Sequence, residues 1–325
     1  METNRCGQWR RGSLLGAVLM TAALVLPAFG RLAAAAGQDA APVWLVSTRC
    51  APRCGDLEAG LAQIRYWRLE GCQWMASDEA AFRAGADPAL PTTIFVHGNR
   101  DDAQAAADDG TSFYSVLKGQ SAGRPFRYVI WSWPSDRIPG RARQDAQVKA
   151  AYSDTESYYL ARLLRGGKPG GPVSLVGYSF GARIVTGSLE LLAGGPIAGR
   201  TLPAALLAEP TALPLRPMRA VLIAAAEDAD WLMPGHRDGL ALALVDRVLV
   251  TQNGCDGVLR FYPWMYGRGG PQALGFAGPC GPSEKLEVVG VSCEVGRTHD
   301  WLRYEAAAEL QARLAWYTFL VPGGN

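Results

Sequence analysis

The chain has 325 residues, 49% of them hydrophobic and 19% charged, with a formal net charge of +2 at pH 7. This composition is typical of a globular protein with enough apolar residues for one large core or two smaller ones, and it excludes a disordered or fibrous chain. Neither a basic stripe nor a nucleic-acid-binding motif is present, so nucleic acid is not an expected partner.

The first 36 residues have the pattern of a secretory signal peptide. Three arginines precede an apolar run over residues 14–29, and small residues follow as far as Ala36, where we expect cleavage. The alternative is an uncleaved membrane anchor, which the shortness of the apolar run disfavours. Residues 1–36 hold four arginines and one glutamate, so the remaining chain has a formal net charge of −1. We expect a secreted or periplasmic protein with no integral membrane span in the mature chain.

Six cysteines follow the predicted cleavage site, an even number that favours disulfides in an exported protein. They are Cys50, Cys54, Cys72, Cys255, Cys280 and Cys293. Their spacing does not define the pairing, and it lacks the Cys-x-x-Cys pairs of a zinc site. No metal is therefore expected.

Short apolar runs and helix-like stretches alternate along the rest of the chain. Strands are predicted at 43–47, 64–69, 92–98, 126–134, 173–179, 219–226, 246–252 and 285–293, and helices at 142–165, 180–194 and 301–319. Apolar strands without alternation are buried on both faces, so the fold class is α/β with a mostly parallel sheet, in a single domain over residues 40–322. The Gly/Pro/aromatic loop 262–283 either shapes a site or is a surface insertion.

The sequence Gly177-Tyr178-Ser179-Phe180-Gly181 lies between a predicted strand and a predicted helix. This is the context of a nucleophile elbow, in which a serine is exposed on a strained strand-to-helix turn between two glycines. The alternative is an ordinary turn whose serine caps the helix. We predict that Ser179 is a nucleophile.

A serine nucleophile needs a base, and the chain has three histidines. His299 follows the last predicted strand, and it gives the chain order Ser, acid, His of a hydrolase triad. We predict His299 as the base, His236 as a solvated loop residue and His97 as a structural residue.

The acid must orient the base and stabilise its charged form. Asp256 follows the strand at 246–252 and is the first candidate, whereas Asp228 and Asp230, one strand earlier, stay open as alternatives. An oxyanion would be bound by the backbone N–H groups of Phe180 and Asn99, because one follows the nucleophile and the other follows an earlier strand.

Five segments in this order resemble the α/β-hydrolase superfamily: "TTIFVHGNR", "FRYVIWSWPSDR", "SLVGYSFGAR", "VLVTQNGCDGVL" and "THDWLRYE". Within that superfamily the chain resembles a bacterial esterase-like branch in which His-Gly-Asn or His-Gly-Phe-Asn is followed by a Trp-Pro-Ser turn. The resemblance covers residues 90–320. It implies an eight-stranded sheet with helices on both faces and a triad of Ser179, Asp256 and His299.

The implied activity is carboxylic ester hydrolysis through an acyl-enzyme, without a metal or an organic cofactor, on a small-molecule or lipid-like ester. Tyr178, Phe180 and the aromatic loop 262–283 favour an apolar acyl group. The alternative is a non-catalytic exported binding or cell-envelope protein on a hydrolase scaffold. Neither the oligomeric state nor the choice among ester, thioester and amide follows from the sequence.

Overall fold

A computed structural model describes residues 41–166, 171–208, 216–267 and 269–321. The chain from Ala41 onward forms one compact unit. The predicted signal peptide, residues 1–36, lies outside the described residues. None of the helices in the described ranges combines the length and hydropathy needed to cross a bilayer.

The described residues form a nine-stranded sheet. Its strands are Val43–Ser47 (β1), Arg65–Glu70 (β2), Gln73–Ser77 (β3), Thr92–Val96 (β4), Arg127–Ser132 (β5), Val173–Tyr178 (β6), Met218–Ile223 (β7), Arg247–Gln252 (β8) and Leu286–Gly290 (β9). Their order in the sheet is β3-β2-β1-β5-β4-β6-β7-β8-β9. Every pair of neighbouring strands in the part of the sheet ordered β1-β5-β4-β6-β7-β8-β9 is parallel. Strand β2 is antiparallel to both of its neighbours, β1 and β3. The fold is therefore mixed α/β with a mostly parallel sheet.

The expectation of eight strands is wrong, because β3 adds a ninth at the edge of the sheet. Its residues are "QWMAS", and all five are partly or fully exposed. A strand with water on both faces needs no apolar run, so its sequence has none of the pattern that predicts the central strands. Every residue of β5 and of β6 is buried, as expected for strands covered on both faces.

Ten α-helices lie in the described ranges: Leu57–Gly60 (α1), Glu79–Ala84 (α2), Ala103–Gln120 (α3), Ala142–Arg165 (α4), Phe180–Leu192 (α5), Ala204–Ala208 (α6), Leu274–Ala277 (α7), Ser292–Val295 (α8), Trp301–Glu305 (α9) and Ala308–Tyr317 (α10). Short 3-10 helices occur at Leu61–Gln63, Ala241–Ala243 and Leu259–Met265. The predicted helix 142–165 has the bounds of α4.

Helices cover both faces of the sheet, and two neighbouring residues of β5 show this. A Cβ added to Gly110 of α3 would stand 2.6 Å from Ile130 Cδ1, so α3 packs closely on the face that Ile130 presents. Trp131 Nε1 donates to Glu156 Oε2 of α4 at 3.1 Å. Neighbouring strand residues point to opposite faces, so α3 and α4 lie on opposite sides of the sheet. Helix α5 packs on α4, and α10 packs on α3.

The single helix predicted over 301–319 is two helices, α9 and α10, separated at Ala306 and Ala307. Ala307 has an extended backbone with ψ 121°. The carboxylate of Glu294 accepts hydrogen bonds from the backbone N–H groups of Ala308 and Glu309, which lie in the first turn of α10. A carboxylate from a distant segment thus caps α10, and no proline or glycine marks the break in the sequence.

Five of the six cysteines have free thiols, so the disulfides that the even number favours do not form among these five. The five, all exposed, are Cys54, Cys72, Cys255, Cys280 and Cys293. An even number of cysteines predicts disulfides only where the fold brings the Cα atoms within about 7 Å with suitable directions, and the sequence contains no such information.

Candidate active site

Ser179 lies in the turn between β6 and α5. Its φ of +54° is in a backbone region that residues other than glycine rarely adopt. The two glycines around it permit a close approach of strand and helix. A Cβ on Gly177 would stand 2.6 Å from the backbone nitrogen of Ala182, and a Cβ on Gly181 would stand 2.8 Å from the carbonyl oxygen of His97. Larger residues at either position would force the turn apart.

Ser179, His299 and Asp256 form a continuous row of hydrogen bonds, although 120 residues separate the serine from the histidine. Ser179 Oγ is 2.9 Å from His299 Nε2, and His299 Nδ1 is 2.7 Å from Asp256 Oδ2. A carboxylate can only accept, so Nδ1 carries the ring proton and Nε2 is left to accept the proton of the Ser179 hydroxyl. This is the arrangement that activates a serine.

Asp256 is fully buried, and both of its carboxylate oxygens are occupied. Oδ1 accepts from the backbone N–H groups of Val258 and Leu259 at 2.8 and 2.9 Å, and Oδ2 accepts from Tyr304 Oη at 2.6 Å in addition to His299. Burial alone would raise the pKa of Asp256, but the hydrogen bond and charge of His299 and the other donors outweigh it and hold that pKa below its usual value. Asp256 is therefore ionised at neutral pH.

Tyr304 and Asn253 belong to this arrangement and were not predicted from the sequence. Tyr304 is on α9, one turn after His299, and its hydroxyl also accepts from Asn253 Nδ2 at 3.1 Å. Asn253 Oδ1 in turn accepts from the backbone N–H of Cys255, which holds the loop that carries Asp256. The only sequence signal was their position close to the predicted acid and base.

Tyr178, beside Ser179, fixes the loop that carries His299. Its hydroxyl donates to the carbonyl oxygen of His299 at 2.8 Å, and its ring stacks on the imidazole with centroids 5.4 Å apart and an interplanar angle of 27°. The sequence favours Tyr178 as part of an apolar acyl site, and the structure gives it this contact with His299.

The other acids and histidines considered in the sequence have different partners. Asp228 Oδ1 accepts from Tyr262 Oη at 2.6 Å. Asp230 pairs with His236 at 3.0 Å, and both side chains are well exposed. Asp256 is therefore the one of the three carboxylates that contacts His299.

The loop after β4 lies directly against Ser179. A Cβ on Gly98 would stand 2.8 Å from the ring of Tyr178, so only glycine allows this approach. His97 is buried, accepts from the backbone N–H of Trp133 through Nε2 at 3.1 Å, and donates through Nδ1 to the carbonyl oxygen of Gly98 at 2.9 Å. Its ring thus holds the loop in shape. Asn99 follows in the same loop and, with Phe180, lines the cleft beside Ser179.

A cleft with a volume of about 520 Å³ opens in front of Ser179. Its walls are mainly apolar and include five residues of the 3-10 helix Leu259–Met265, which contains the first residues of the aromatic loop predicted at 262–283. Phe261 and Trp264 contact each other with ring centroids 5.0 Å apart and are 50% and 65% exposed at its edge. Arg100, which is paired with Asp145 at 2.8 Å, and Arg143 also line the cleft.

A buried arginine joins this wall to α5, the helix that follows Ser179. The guanidinium of Arg183, in the first turns of α5, packs against Trp231 at 4.5 Å and donates to Tyr262 Oη at 3.2 Å and to Tyr266 Oη at 3.4 Å. Tyr262 then donates to Asp228. The cleft wall and the elbow are therefore held by one hydrogen-bond network.

Further along α5, two buried carboxyl groups share one hydroxyl. Thr186 Oγ1 is 2.7 Å from Glu227 Oε2 and 2.8 Å from Asp238 Oδ2, and both acids are fully buried. Thr186 has a single proton to donate, so one of the two carboxyl groups must be protonated and donate to Oγ1. Burial and then the neighbouring Asp238 raise the pKa of Glu227 to about 8, and burial raises that of Asp238 to about 7.

We expect the melting temperature to fall by several degrees between pH 5 and pH 8. The folded state keeps a proton on this pair that the unfolded chain releases near pH 4, so stability decreases as pH rises from there to the folded pKa values of about 7 and 8. Glu156 and Asp109, whose pKa values burial raises to about 7, act in the same direction, whereas His97, whose pKa burial lowers, acts in the opposite direction only below about pH 6.5. Thermal unfolding across this pH range tests the expectation.

The matched variants for this measurement are Glu227→Gln, inside the pair, and Glu70→Gln, exposed on β2. The first should flatten the decrease in melting temperature with pH, and the second should leave its slope unchanged. Equal slopes in the wild type and in Glu227→Gln would show that the pair carries no proton.

Among the described residues, no group of three or more His, Cys, Asp or Glu side chains is arranged so that it could hold a metal ion.

No family model matches the chain, and no curated protein matches it. Among solved structures, an acetylxylan esterase determined at 0.90 Å resolution aligns with 12% identity over 72% of this chain and 98% of that chain, with a TM-score of 0.36. An iodinated complex of acetylxylan esterase aligns with 13% identity over 70% of this chain and 99% of that chain, with a TM-score of 0.35.

Proposed function

We propose that this chain is an exported serine hydrolase that cleaves carboxylic esters, with Ser179 as nucleophile, His299 as base and Asp256 as the orienting acid. The observation that carries the proposal is the row of hydrogen bonds from Ser179 Oγ through His299 to Asp256, at distances of 2.9 and 2.7 Å, with the serine on a strained turn at the wall of a cleft. Such a row gives the serine the base and the orientation that acyl transfer requires.

The chemistry follows from these positions. Ser179 Oγ attacks the ester carbonyl carbon while His299 Nε2 takes its proton, and Asp256 stabilises the charged imidazole. The backbone N–H groups of Phe180 and Asn99 donate to the oxyanion of the tetrahedral intermediate. His299 then protonates the leaving alkoxide, an acyl-enzyme remains, and a water activated by the same histidine releases the acid. Apart from the ester and this water, the steps use side chains and backbone groups of this chain.

The arrangement along the chain supports an α/β-hydrolase fold of the esterase-like branch. Ser179 follows β6, Asp256 follows β8, and His299 follows β9, so all three lie beyond the carboxyl ends of parallel strands. Parallel sheets place their functional groups at the carboxyl ends of the strands. The chain order Ser, acid, His is that of the α/β-hydrolases.

The cleft favours a substrate with an apolar acyl or alcohol group, either a small molecule or a lipid-like ester. Phe180, Leu259 and Met265 line it near the nucleophile, with Phe261 and Trp264 at its edge. Apolar walls stabilise a bound chain by removing its surface from water, at about 25 cal/mol per Å². Export rests on the predicted signal peptide over residues 1–36.

The alternative is a non-catalytic exported binding protein that uses the same cleft. Labelling with a fluorophosphonate, which reacts with activated serines, separates the two functions. We expect an adduct on Ser179 by peptide mapping, because His299 removes the proton of the hydroxyl as it attacks phosphorus. The rate of labelling should fall at least about 100-fold in His299→Ala, in line with the loss of a general base.

The matched control is His236→Ala, which removes an exposed histidine that is also paired with an aspartate. It should label as fast as the wild type. A folded protein that gives no adduct would contradict the hydrolase and favour the binding protein. An adduct should be followed by a panel of esters of graded acyl length, in which an apolar cleft predicts a preference for the longer chains that it can hold.

A further inference from the structure

A second cavity lies at the amino-terminal ends of the parallel strands, whereas Ser179 lies beyond their carboxyl ends. It has a volume of about 60 Å³ and is lined by the first residues of three strands, Thr92, Arg127 and Val173, and by Arg83 and Arg216. Six residues of strand separate Val173 from Ser179, a distance of about 20 Å at 3.3 Å per residue. The cavity is therefore separate from the candidate active site.

Three arginines line this cavity, and two of them have no carboxylate partner among the residues that the structure describes. Arg127 is buried, with only 8% of its surface exposed. Its Nη2 donates to the Phe82 carbonyl oxygen at 2.6 Å, and its guanidinium lies 4.0 Å from the Phe82 ring centroid. Arg216 Nη2 donates to the Leu164 carbonyl oxygen at 3.2 Å. The Nε–H groups of Arg127 and Arg216 are buried without a hydrogen-bond partner.

Carboxylates near the cavity do not neutralise this charge. Arg83 pairs with Glu79 at 2.6 Å, which uses the Glu79 carboxylate. Asp87 lines the cavity, but it is exposed and accepts from the backbone N–H of Ala89. Burial, and then the charge of Arg83, lower the pKa of Arg127 to about 10, and burial lowers the pKa of Arg216. A lowered pKa is what burial produces in a cation that has no counter-ion.

A buried unpaired cation is costly, and an anion between two guanidinium groups removes that cost. The volume limits what can enter. One water molecule needs roughly 10–15 Å³ of cavity volume. A cavity of about 60 Å³ therefore admits a few water molecules or one small oxyanion, but not a nucleotide or a sugar phosphate. Ile94 and Val129 form an apolar part of the lining, which can contact a methyl group but cannot donate to oxygen.

We propose that the cavity bounded by Arg83, Arg127 and Arg216 binds a small oxyanion, either a short carboxylate or inorganic phosphate. Arg127 and Arg216 supply the charge and the free N–H donors, and Arg83 stands beside them, tied to Glu79. The site is independent of ester hydrolysis, because it lies at the amino-terminal ends of the strands and uses none of the residues in the candidate active site.

Thermal unfolding and calorimetry with sodium acetate, phosphate and sulfate, each compared with sodium chloride at equal ionic strength, test the proposal. At about ten times its Kd, a bound oxyanion should raise the melting temperature by about 3 °C above the chloride value. Arg127→Gln and Arg216→Gln should each remove this difference. Arg216 is only partly buried, so its variant should fold even if Arg127→Gln does not.

The control is Arg68→Gln, an exposed arginine of β2 that does not line this cavity, and it should keep the full shift. The ranking of acetate against phosphate identifies the class of oxyanion. A wild type with no shift beyond that of chloride, or a shift that persists in both cavity variants, would overturn the proposal, the second outcome indicating an adventitious ion only. None of these measurements depends on hydrolytic activity.

Discussion

Ser179→Ala should lower kcat for a carboxylic ester by about 10⁴-fold or more, because the acyl-enzyme can no longer form and only the oxyanion donors and binding contacts remain. The Ser179 side chain is 5% exposed and its Oγ has one hydrogen-bond partner in the site, His299 Nε2. Alanine keeps the Cβ and so fits the same backbone. We therefore expect the melting temperature to stay within about 2 °C of the wild type, since the change removes one hydrogen bond.

The measurement is steady-state hydrolysis of a soluble aryl ester, with active-site titration to exclude traces of wild-type enzyme. Ser115→Ala is the matched control, because Ser115 is an exposed serine of α3 whose hydroxyl donates only to the Thr111 carbonyl oxygen. It should keep full activity. Undiminished turnover in Ser179→Ala would remove this serine from the chemistry and would require another nucleophile.

The turn at Ser179 could be predicted because its requirements are local. A buried strand, two glycines at fixed spacing and an amphipathic helix are all visible within twenty residues, and the structure shows why each glycine is needed. The central strands were predictable for a similar reason, because burial on both faces leaves an uninterrupted apolar run.

The sequence ranks Asp256 first among three candidate acids, but it does not determine which of them contacts His299. Asp228, Asp230 and Asp256 all follow strands of a parallel sheet, and a strand end fixes the edge of the sheet but not the direction of a side chain. The choice depends on distant groups, since Tyr304 and His299 come from residues more than 40 positions after Asp256. No pattern within one segment contains that information.

The remaining differences have the same origin. Strand β3 is exposed on the edge and pairs with β2 without an apolar face, and the break before α10 is held by Glu294 from another segment. Cysteine pairing depends on Cα distances that only the complete fold sets. Structure that depends on long-range contacts between a few residues leaves little trace in composition or periodicity.

Asp256→Asn should lower kcat by about 10³- to 10⁴-fold with a small change in KM, because it disturbs the base without touching the cleft. The backbone N–H groups of Val258 and Leu259 donate to one carboxylate oxygen, so they would hold the carbonyl oxygen of the asparagine there. The new amide group would then face His299 Nδ1 as a donor. The imidazole must accept at Nδ1 and carry its proton on Nε2, where it can no longer take the proton of Ser179.

The control for this variant is Asp230→Asn, because Asp230 also pairs with a histidine, His236, but at an exposed position. It should leave kcat and KM unchanged. Asp228→Asn disturbs the contact with Tyr262 in the cleft wall, so it should raise KM more than it lowers kcat. The opposite result, with kcat lost in Asp228→Asn and kept in Asp256→Asn, would mean that Asp228 orients the base during turnover and that the hydrogen bond between Asp256 and His299 serves only the resting structure.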